Sequence, residues 1–296
     1  VVGSIYTAAH YLNNRQYICD SKSMIRKEVT KMDIGVSTAC LYPLETEKAL
    51  YELAKREVKN VEIFINSVDE LEGQVLVELR RIIGEYGISV KSMHPFSSPM
   101  ETLFLFGDYP RRTEYLTDIY KRYFEVMEEL GAKVFVLHGA ILSSKVPDGR
   151  YMERYLRLYR IAKQFGVTVA QENICYCKSS SVKFIEDMIA QLGDEVRFVV
   201  DLKQARRSNV DPFRLLDIIG DKVVHMHVSD GDAGCDCLPI GKGEFDFKHL
   251  FKEMDKISYD NSMIVELYRE NYKSYDELAM CANDMQKLYN KYKTGV

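Results

Sequence analysis

Short apolar runs alternate with longer amphipathic stretches from Asp33 to the end of the chain. The short runs are rich in β-branched residues and predict strands at 34–37, 61–65, 89–93, 134–137, 167–170, 197–200, 223–228 and 263–267. The longer stretches have apolar residues at helical spacing among Glu, Lys and Arg, and predict helices at 46–59, 68–86, 112–130, 152–165, 181–192, 212–219, 247–256 and 275–292. The pattern therefore predicts eight strands and eight helices in strict alternation.

Strict alternation of strands and helices implies parallel strands joined by right-handed crossovers, the organisation of the α/β class. Eight such units within about 260 residues match a closed barrel better than an open sheet. An open doubly wound sheet usually carries a glycine-rich turn after its first strand, and here that turn, residues 37–43, contains no glycine. We therefore predict a single (β/α)8 TIM barrel.

The first 31 residues differ from the rest of the chain. They contain no clear strand pattern, and they include five Lys or Arg between Arg15 and Lys31. We therefore predict two parts, an N-terminal extension at 1–31 outside the barrel and the TIM barrel itself at 32–296.

Composition narrows the class of protein further. With 46% hydrophobic residues the chain has enough apolar side chains for a large core, and its formal net charge of −4 does not favour nucleic acid as a partner. No apolar run approaches the roughly 18 residues of a membrane span, and the first residues make a poor signal peptide. We expect a cytoplasmic protein without a membrane partner. Whether it forms a homo-oligomer stays open.

The seven cysteines are an odd and small number for a disulfide framework. Two pairs, Cys175-x-Cys177 and Cys235-x-Cys237, have the wrong spacing for the C-x2-C knuckle of structural zinc sites. We expect reduced thiols, with a four-cysteine zinc site as the weaker alternative.

A histidine or a carboxylate stands at the C-terminal end of six consecutive predicted strands. In chain order these residues are His94, His138, Glu172, Asp201, His227 and Glu266. One such residue is most often structural, but a barrel brings the strand ends into one ring, at the face where TIM-barrel active sites lie. Carboxylates packed together repel one another, and a divalent cation removes that conflict. Imidazole and carboxylate together suit Zn²⁺, Mn²⁺, Co²⁺ or Fe²⁺.

The strongest candidate ligands come from strands five to eight and are Glu172, Asp201, His227 and Glu266. They are too far apart in the sequence for a local helical motif, so only folding would assemble the site. His225 precedes His227 by two residues and therefore points to the same side of its strand, one layer deeper, where we favour a structural role. Glu62, early in strand two, faces either the lower barrel interior or the site, and we assign it no role.

Six short motifs occur in order along the chain, and they cover residues 33 to about 291. They are Val-Leu-His138-Gly, Glu172-Asn173, Val-Val-Asp201, His227-Val-Ser-Asp230, the loop Pro239-Ile-Gly241-Lys-Gly243-Glu-Phe-Asp246-Phe, and Ile-Val-Glu266. No single motif is specific, but the ordered set resembles the xylose isomerase-like TIM-barrel superfamily. This superfamily includes sugar isomerases, ketose 3-epimerases, inosose-processing enzymes and endonuclease IV.

The resemblance implies that one divalent metal, Mn, Zn, Co or Mg, is held by Glu172, Asp201, His227 and Glu266. It also implies that Glu172 and Glu266 exchange protons with a substrate carbon, in a sugar or sugar-phosphate isomerase or epimerase that works through a metal-stabilised enediolate. The partner would be a small carbohydrate. The candidates for contacts with it are His94, His138, Lys203, Gln204 and Asp230. Together with Glu172, the first two are also candidates for a second ion.

Two departures from the family pattern bear on the choice of reaction. Many relatives read Asp-x-x-His after the sixth strand, whereas this chain reads Asp201-Leu-Lys203-Gln204. Gln204 can hydrogen-bond but is a weak ligand, and Lys203 either supplies a positive charge or points to solvent. The histidine of a nuclease-type Asp-x-His is replaced by Leu238. An abasic-site DNA nuclease thus stays an alternative that lacks a third metal, and a polyol or inosose dehydratase would share all four ligands.

Overall fold

The structure, a computed structural model, describes residues 32–96 and 98–295. The predicted N-terminal extension at 1–31 lies outside the described residues. Within them, parallel strands form a closed barrel in chain order. The strands are β1 (Ile34–Ser37), β2 (Asn60–Ile65), β3 (Ser89–Pro95), β4 (Val134–Leu137), β5 (Thr168–Glu172), β6 (Phe198–Asp201), β7 (Val223–Val228) and β8 (Met263–Val265). The predicted TIM barrel is confirmed.

Helical segments follow every strand in this part of the chain. The α-helices are α1 (Thr46–Ala54), α2 (Gly73–Tyr86), α3 (Ser98–Glu101), α4 (Pro110–Leu130), α5 (Asp148–Lys163), α6 (Val182–Leu192), α7 (Leu202–Arg207), α8 (Pro212–Ile219), α9 (Phe247–Lys256) and α10 (Tyr275–Thr294). The short helices α3 and α7 were not predicted, because neither is long enough to show a helical apolar period. In the described ranges, none of the helices is long and apolar enough to cross a membrane.

Two predicted helices are shorter in the structure, and the backbone gives the reason. The helix predicted at 68–86 is divided into a 3-10 turn, Val68–Leu71, and α2, because Glu72 is extended and Gly73 has a φ of +61°. The helix predicted at 46–59 ends at Ala54, and the turn after it contains Glu57 at a φ of 62°. A positive φ lies outside the right-handed helical region, so neither Gly73 nor Glu57 can continue a helix from the preceding turn.

Two apolar layers hold the barrel together, one outside the strands and one inside. Outside, Phe135 of β4 packs edge-on against three aromatic rings of α4, with ring centroids 4.8 to 5.7 Å apart. A separate apolar cluster consists only of strand residues, Val134, Val136, Ala170 and Val199. On β4, Val134 and Val136 point to the side opposite Phe135, so they and the cluster members of β5 and β6 fill the barrel interior.

Candidate metal site

Alternation of side chains along the strands directs the polar strand ends into the barrel. Ala170 and Val199 belong to the interior apolar cluster. The side chains two residues further along β5 and β6, Glu172 and Asp201, therefore lie on the same side, one layer nearer the C-terminal face. The register of β6 and β7 pairs Asp201 with His227.

The four residues predicted as ligands converge above this apolar layer. Ligand atoms of Glu172, Asp201, His227 and Glu266 all lie within 4.8 Å of one another. His227 Nδ1 is 3.0 Å from Glu172 Oε1, and it is 3.8 Å from Asp201 Oδ2 and from Glu266 Oε2. Glu172, Asp201 and His227 are each only 1% exposed, whereas Glu266 is half-buried. Folding therefore assembles the cluster from four separate strand ends.

Asp201 Oδ2 is buried without a hydrogen-bond partner among the described residues, and its contact with Lys203 Nζ is 3.5 Å long. Leaving a buried acceptor unpaired is costly, and a bound ion is one explanation of such an atom. Three carboxylates and one imidazole form a donor set for a borderline divalent cation. The residues present therefore fit a divalent cation.

The ionisation of the cluster is governed by burial and by mutual charge. Burial raises the pKa of Asp201 to about 7, with the charge of Lys203 acting against it and the other carboxylates adding to it. Burial also opposes ionisation of Glu172, but the His227 charge and imidazole hydrogen bonds hold the pKa of Glu172 well below its usual range. Burial disfavours protonated His227, yet the charges of Glu62, Glu266 and Glu172 keep its pKa well above its usual value. The site thus has an excess of acidic groups, which favours a cation.

Lys203 lies inside the site and not in solvent. Its side chain is 3% exposed. Its Nζ is 2.7 Å from Glu266 Oε2 and 3.5 Å from Asp201 Oδ2. The ammonium group also lies 4.9 Å from the ring centroid of Tyr268. Of the two alternatives for Lys203, the structure has the buried positive charge, and its contact with substrate stays a prediction.

His94 and His138 form a second group with Glu172. His94 Nδ1 lies 3.1 Å from the Pro95 carbonyl oxygen, which can only accept, so this nitrogen carries a proton and Nε2 faces the cavity. That Nε2 is 2.7 Å from His138 Nε2, which in turn is 3.0 Å from Glu172 Oε2. One oxygen of Glu172 therefore faces His227 and the other faces His138. The three side chains are close enough to hold a cation of their own.

A cavity of about 240 Å³ lies over these two groups. Its lining includes six residues predicted for the site, and these are His94, His138, Glu172, Lys203, Gln204 and Glu266. Pockets for drug-sized ligands usually have about 300–1,000 Å³, so this cavity suits a small molecule. A neighbouring cavity of about 670 Å³ is lined by Arg206, Asp232, Asp236 and Glu270 among others.

Sequence reasoning missed Arg207 and Tyr268, which line both cavities. Arg207 donates to the Tyr268 hydroxyl at 2.6 Å and also pairs with Asp236. A signal existed for both residues. Arg207 follows Lys203 by four residues on α7 and so shares its helix face, and Tyr268 follows Glu266 by two residues.

Gln204 lines the cavity and also supports its wall. Its side-chain Oε1 accepts a hydrogen bond from the Cys175 backbone N–H at 3.2 Å, which anchors the loop after β5. Its own backbone N–H donates to Asp201 Oδ1 at 2.9 Å, so Asp201 caps the N-terminus of α7. A substrate contact by Gln204 stays a prediction.

Asp230 is not among the residues that line the cavity over the site. Its carboxylate accepts hydrogen bonds from the backbone N–H groups of Gly231 at 2.8 Å, Gly241 at 2.9 Å and Phe245 at 3.0 Å. Both carboxylate oxygens are therefore occupied in closing the loop after β7. The predicted substrate contact of Asp230 is untested, and these hydrogen bonds favour a structural role.

Replacing Asp230 by Asn is expected to lower the free energy of unfolding by about 1–3 kcal/mol, because at least one backbone donor loses its only good acceptor. Denaturant unfolding of the variant and the wild type measures the difference. If Asp230 instead contacts substrate, the variant would keep its stability and show a raised KM.

The cysteines take no part in the ligand groups of the described residues, which consist only of His, Asp and Glu. The six cysteines in this part of the chain are free thiols, and Cys40, Cys177, Cys237 and Cys281 are buried. This arrangement agrees with the expected reduced thiols and gives no support to a four-cysteine zinc site.

The fold and this site define a class of protein, a TIM barrel with a cluster of carboxylates and imidazoles at the C-terminal face of its strands whose ligand atoms are close enough to hold a cation. A family model described as xylose isomerase-like TIM barrel matches residues 50–290, and the chain belongs to this family.

Similar proteins include several sugar 3-epimerases. Fructoselysine 3-epimerase of Escherichia coli O157:H7 is 21% identical over 249 residues, which are 80% of this chain and 90% of that protein. A solved D-tagatose 3-epimerase-like protein superposes with a TM-score of 0.73 at 18% identity, covering 89% of this chain and 99% of the other. D-psicose 3-epimerase from Clostridium cellulolyticum H10 gives a TM-score of 0.69 at 14% identity, covering 88% and 98%. The two structural likenesses bear on the fold alone.

Proposed function

We propose that this chain is a divalent-metal-dependent sugar epimerase or isomerase, with Glu172, Asp201, His227 and Glu266 as the ligands of one cation. The observation that carries the proposal is the convergence of their ligand atoms within 4.8 Å of one another. The sugar 3-epimerases among the similar proteins support a carbohydrate as the substrate class.

A cation at this cluster would polarise a ketose carbonyl and the neighbouring hydroxyl, which makes the adjacent C–H more acidic. Glu172 is the stronger candidate for the base, because the His227 charge and imidazole hydrogen bonds keep its carboxyl group ionised although burial opposes this, and only the ionised form can accept a proton. Glu266, from the other end of the ligand set, would return a proton to the carbon from the opposite side. In the reverse reaction the two roles exchange.

The surrounding side chains can orient a small polyol. His94 and His138 offer imidazole nitrogens to the cavity, and the ammonium group of Lys203, 2.7 Å from Glu266 Oε2, holds that carboxyl group in place. The ring of Phe64 stacks on His94 with centroids 4.9 Å apart and supplies an apolar wall. Such a mixture of a few convergent polar groups and aromatic surface is typical of small-molecule sites.

A second cation at His94, His138 and Glu172 is the further possibility that the geometry supports. It would bring the site closer to the abasic-site nucleases of the family, the alternative function. Incubation with an abasic DNA duplex separates the two functions. Cleavage of the duplex, together with a DNA affinity that falls steeply with salt, would favour the nuclease. With Gln204 and Leu238 in the place of histidines, we expect no cleavage.

The proposed chemistry predicts that the protein, loaded with Mn²⁺ in D₂O, introduces one deuterium at a carbon next to the carbonyl of its substrate. Mass spectrometry detects the deuterium in a panel of candidate substrates that contains free ketoses, ketose phosphates and amino-acid conjugates of ketoses. The conjugates belong in the panel because the neighbouring cavity has both arginines and carboxylates. A product that differs in mass from the substrate only by the added deuterium identifies an epimerase or isomerase, and loss of water identifies a dehydratase.

The matched control for this assay is Glu253→Gln. Glu253 is a buried glutamate of α9 that pairs with Lys256, away from the cavity, so this variant should exchange deuterium like the wild type. If the cation-saturated wild type takes up no deuterium from any sugar in the panel, the proposed reaction is wrong.

A further inference from the structure

Glu62 is a charged residue inside the barrel that the proposed chemistry does not use. It lies on β2, where it shares its side of the strand with Phe64, a residue of the cavity wall. Its side chain is fully buried, with 0% exposure. A buried carboxylate is costly unless several hydrogen bonds satisfy it, so its retention calls for an explanation.

The hydrogen bonds of Glu62 come from three other strands. Ser37 Oγ donates to Oε1 at 3.0 Å, and Ser92 Oγ donates to Oε2 at 2.7 Å. Oε2 also lies 3.0 Å from His227 Nε2 and 3.4 Å from His225 Nε2. Glu62 is thus the acceptor at the centre of a polar network directly beneath the candidate metal site.

The two ring nitrogens of His227 face different groups. Nδ1 points at the ligand cluster, 3.0 Å from Glu172 Oε1, while Nε2 points down at Glu62 Oε2. An ionised carboxylate can only accept, so the bond to Glu62 requires the proton on Nε2. Nδ1 faces the cluster, so it is the nitrogen whose proton a bound cation would replace, while Nε2 keeps its hydrogen bond to Glu62.

We propose that Glu62 is a positioning residue that sets the tautomer and the ring orientation of His227 for cation binding. It acts only through His227 and does not contact substrate. The inference rests on one part of the proposed function, the binding of a cation by His227 and its neighbours. Carboxylates that accept from the second nitrogen of a ligand histidine serve this purpose in metal sites generally.

Glu62, His225 and His227 are also close enough to form a cation site of their own. Their hydrogen bonds argue against it. His225 Nδ1 lies 2.9 Å from Ser262 Oγ and its Nε2 lies 3.0 Å from Ser92 Oγ, so the ring is already held from both sides. Both His225 and Glu62 are 0% exposed, and neither lines the cavity over the site.

The test compares Zn²⁺ dissociation constants, measured by competition with a chelator, for the wild type, Glu62→Gln and Ser37→Ala. Loss of an outer-shell partner of this kind usually weakens metal binding by about 10–100-fold, and we expect that range for Glu62→Gln. Ser37→Ala is the matched control, because it removes a hydrogen bond to Oε1 and leaves the contact of Oε2 with His227 intact. Its dissociation constant should change much less.

An equal dissociation constant for Glu62→Gln and the wild type overturns the proposal. Should Glu62→Gln fail to fold, the protonation of His227 in the wild-type protein tests the proposal instead. Nitrogen-15 NMR of the histidine-labelled, Zn²⁺-loaded protein should find His227 protonated at Nε2 and metal-bound at Nδ1. The opposite assignment overturns the proposal, because Glu62 could not then accept from this ring.

Neither readout uses a sugar, so failure of the proposed reaction is distinguishable from failure of this inference. If the wild type binds Zn²⁺ but exchanges no deuterium, the role of Glu62 is judged on the dissociation constants alone. If the wild type binds no Zn²⁺, the four-residue metal site and the positioning role of Glu62 are both wrong.

Discussion

Glu172→Gln is expected to lower the turnover number of the proposed epimerisation by about 10²–10⁴-fold, the range that a positioned acid–base group contributes. The substitution preserves the shape of the side chain, but an amide cannot take a proton from a carbon. The geometry makes this position sensitive, since one oxygen faces His227 and the other faces His138. Initial rates at saturating substrate, with the cation in large excess, measure the effect on turnover apart from ligand loss.

Comparing the turnover numbers of Glu172→Gln and Glu253→Gln separates the loss of an acid–base group in the site from the loss of a buried glutamate elsewhere. That variant should keep the wild-type turnover number. A Glu172→Gln protein that is loaded with cation and turns over as fast as the wild type would remove Glu172 from the acid–base role and leave it at most a ligand.

Saturation with a divalent cation is expected to raise the free energy of unfolding by about 2.7 kcal/mol when the cation is present at 100 times its dissociation constant. The unfolded chain has no such site, because the four ligands come from four strands and meet only in the folded barrel. At about 2–4 °C per kcal/mol for domains of roughly this size, Tm should rise by about 5–10 °C. Thermal unfolding with Mn²⁺ or with a chelator measures the shift.

Asp201→Asn is the matched variant for this measurement. It removes one charged ligand, while the amide oxygen can still cap α7 through the Gln204 backbone N–H. We therefore expect the variant to fold and to lose most of the cation-dependent rise in Tm. An equal rise in both proteins would mean that the cation binds elsewhere.

The barrel could be predicted from the sequence because each strand and helix has a recognisable local pattern of apolar and polar residues. Buried parallel strands need continuous apolar runs, and outer helices need an apolar face, so the alternation is visible without tertiary information. The convergence of six strand ends followed from the barrel. Once Ala170 is assigned to the interior, Glu172 must lie on the same side.

Other parts of the site depend on depth and rotamer, which an apolar pattern does not contain. Glu62 could not be assigned, because its hydrogen bond to His227 joins residues 165 positions apart in the sequence. The long side chain of Lys203 could reach either solvent or Glu266, and only packing decides between them. Asp230 resembled the strand-end ligands in the sequence, yet its partners are backbone groups of a loop.

The four-residue cation site is the central claim, and elemental analysis of purified protein tests it most directly. After dialysis with one divalent metal, the wild type should retain at least one ion per chain. Glu172→Gln and Glu266→Gln should each retain far less, since each loses a charged ligand. A wild type without stoichiometric metal, or variants that hold as much metal as the wild type, would contradict the account.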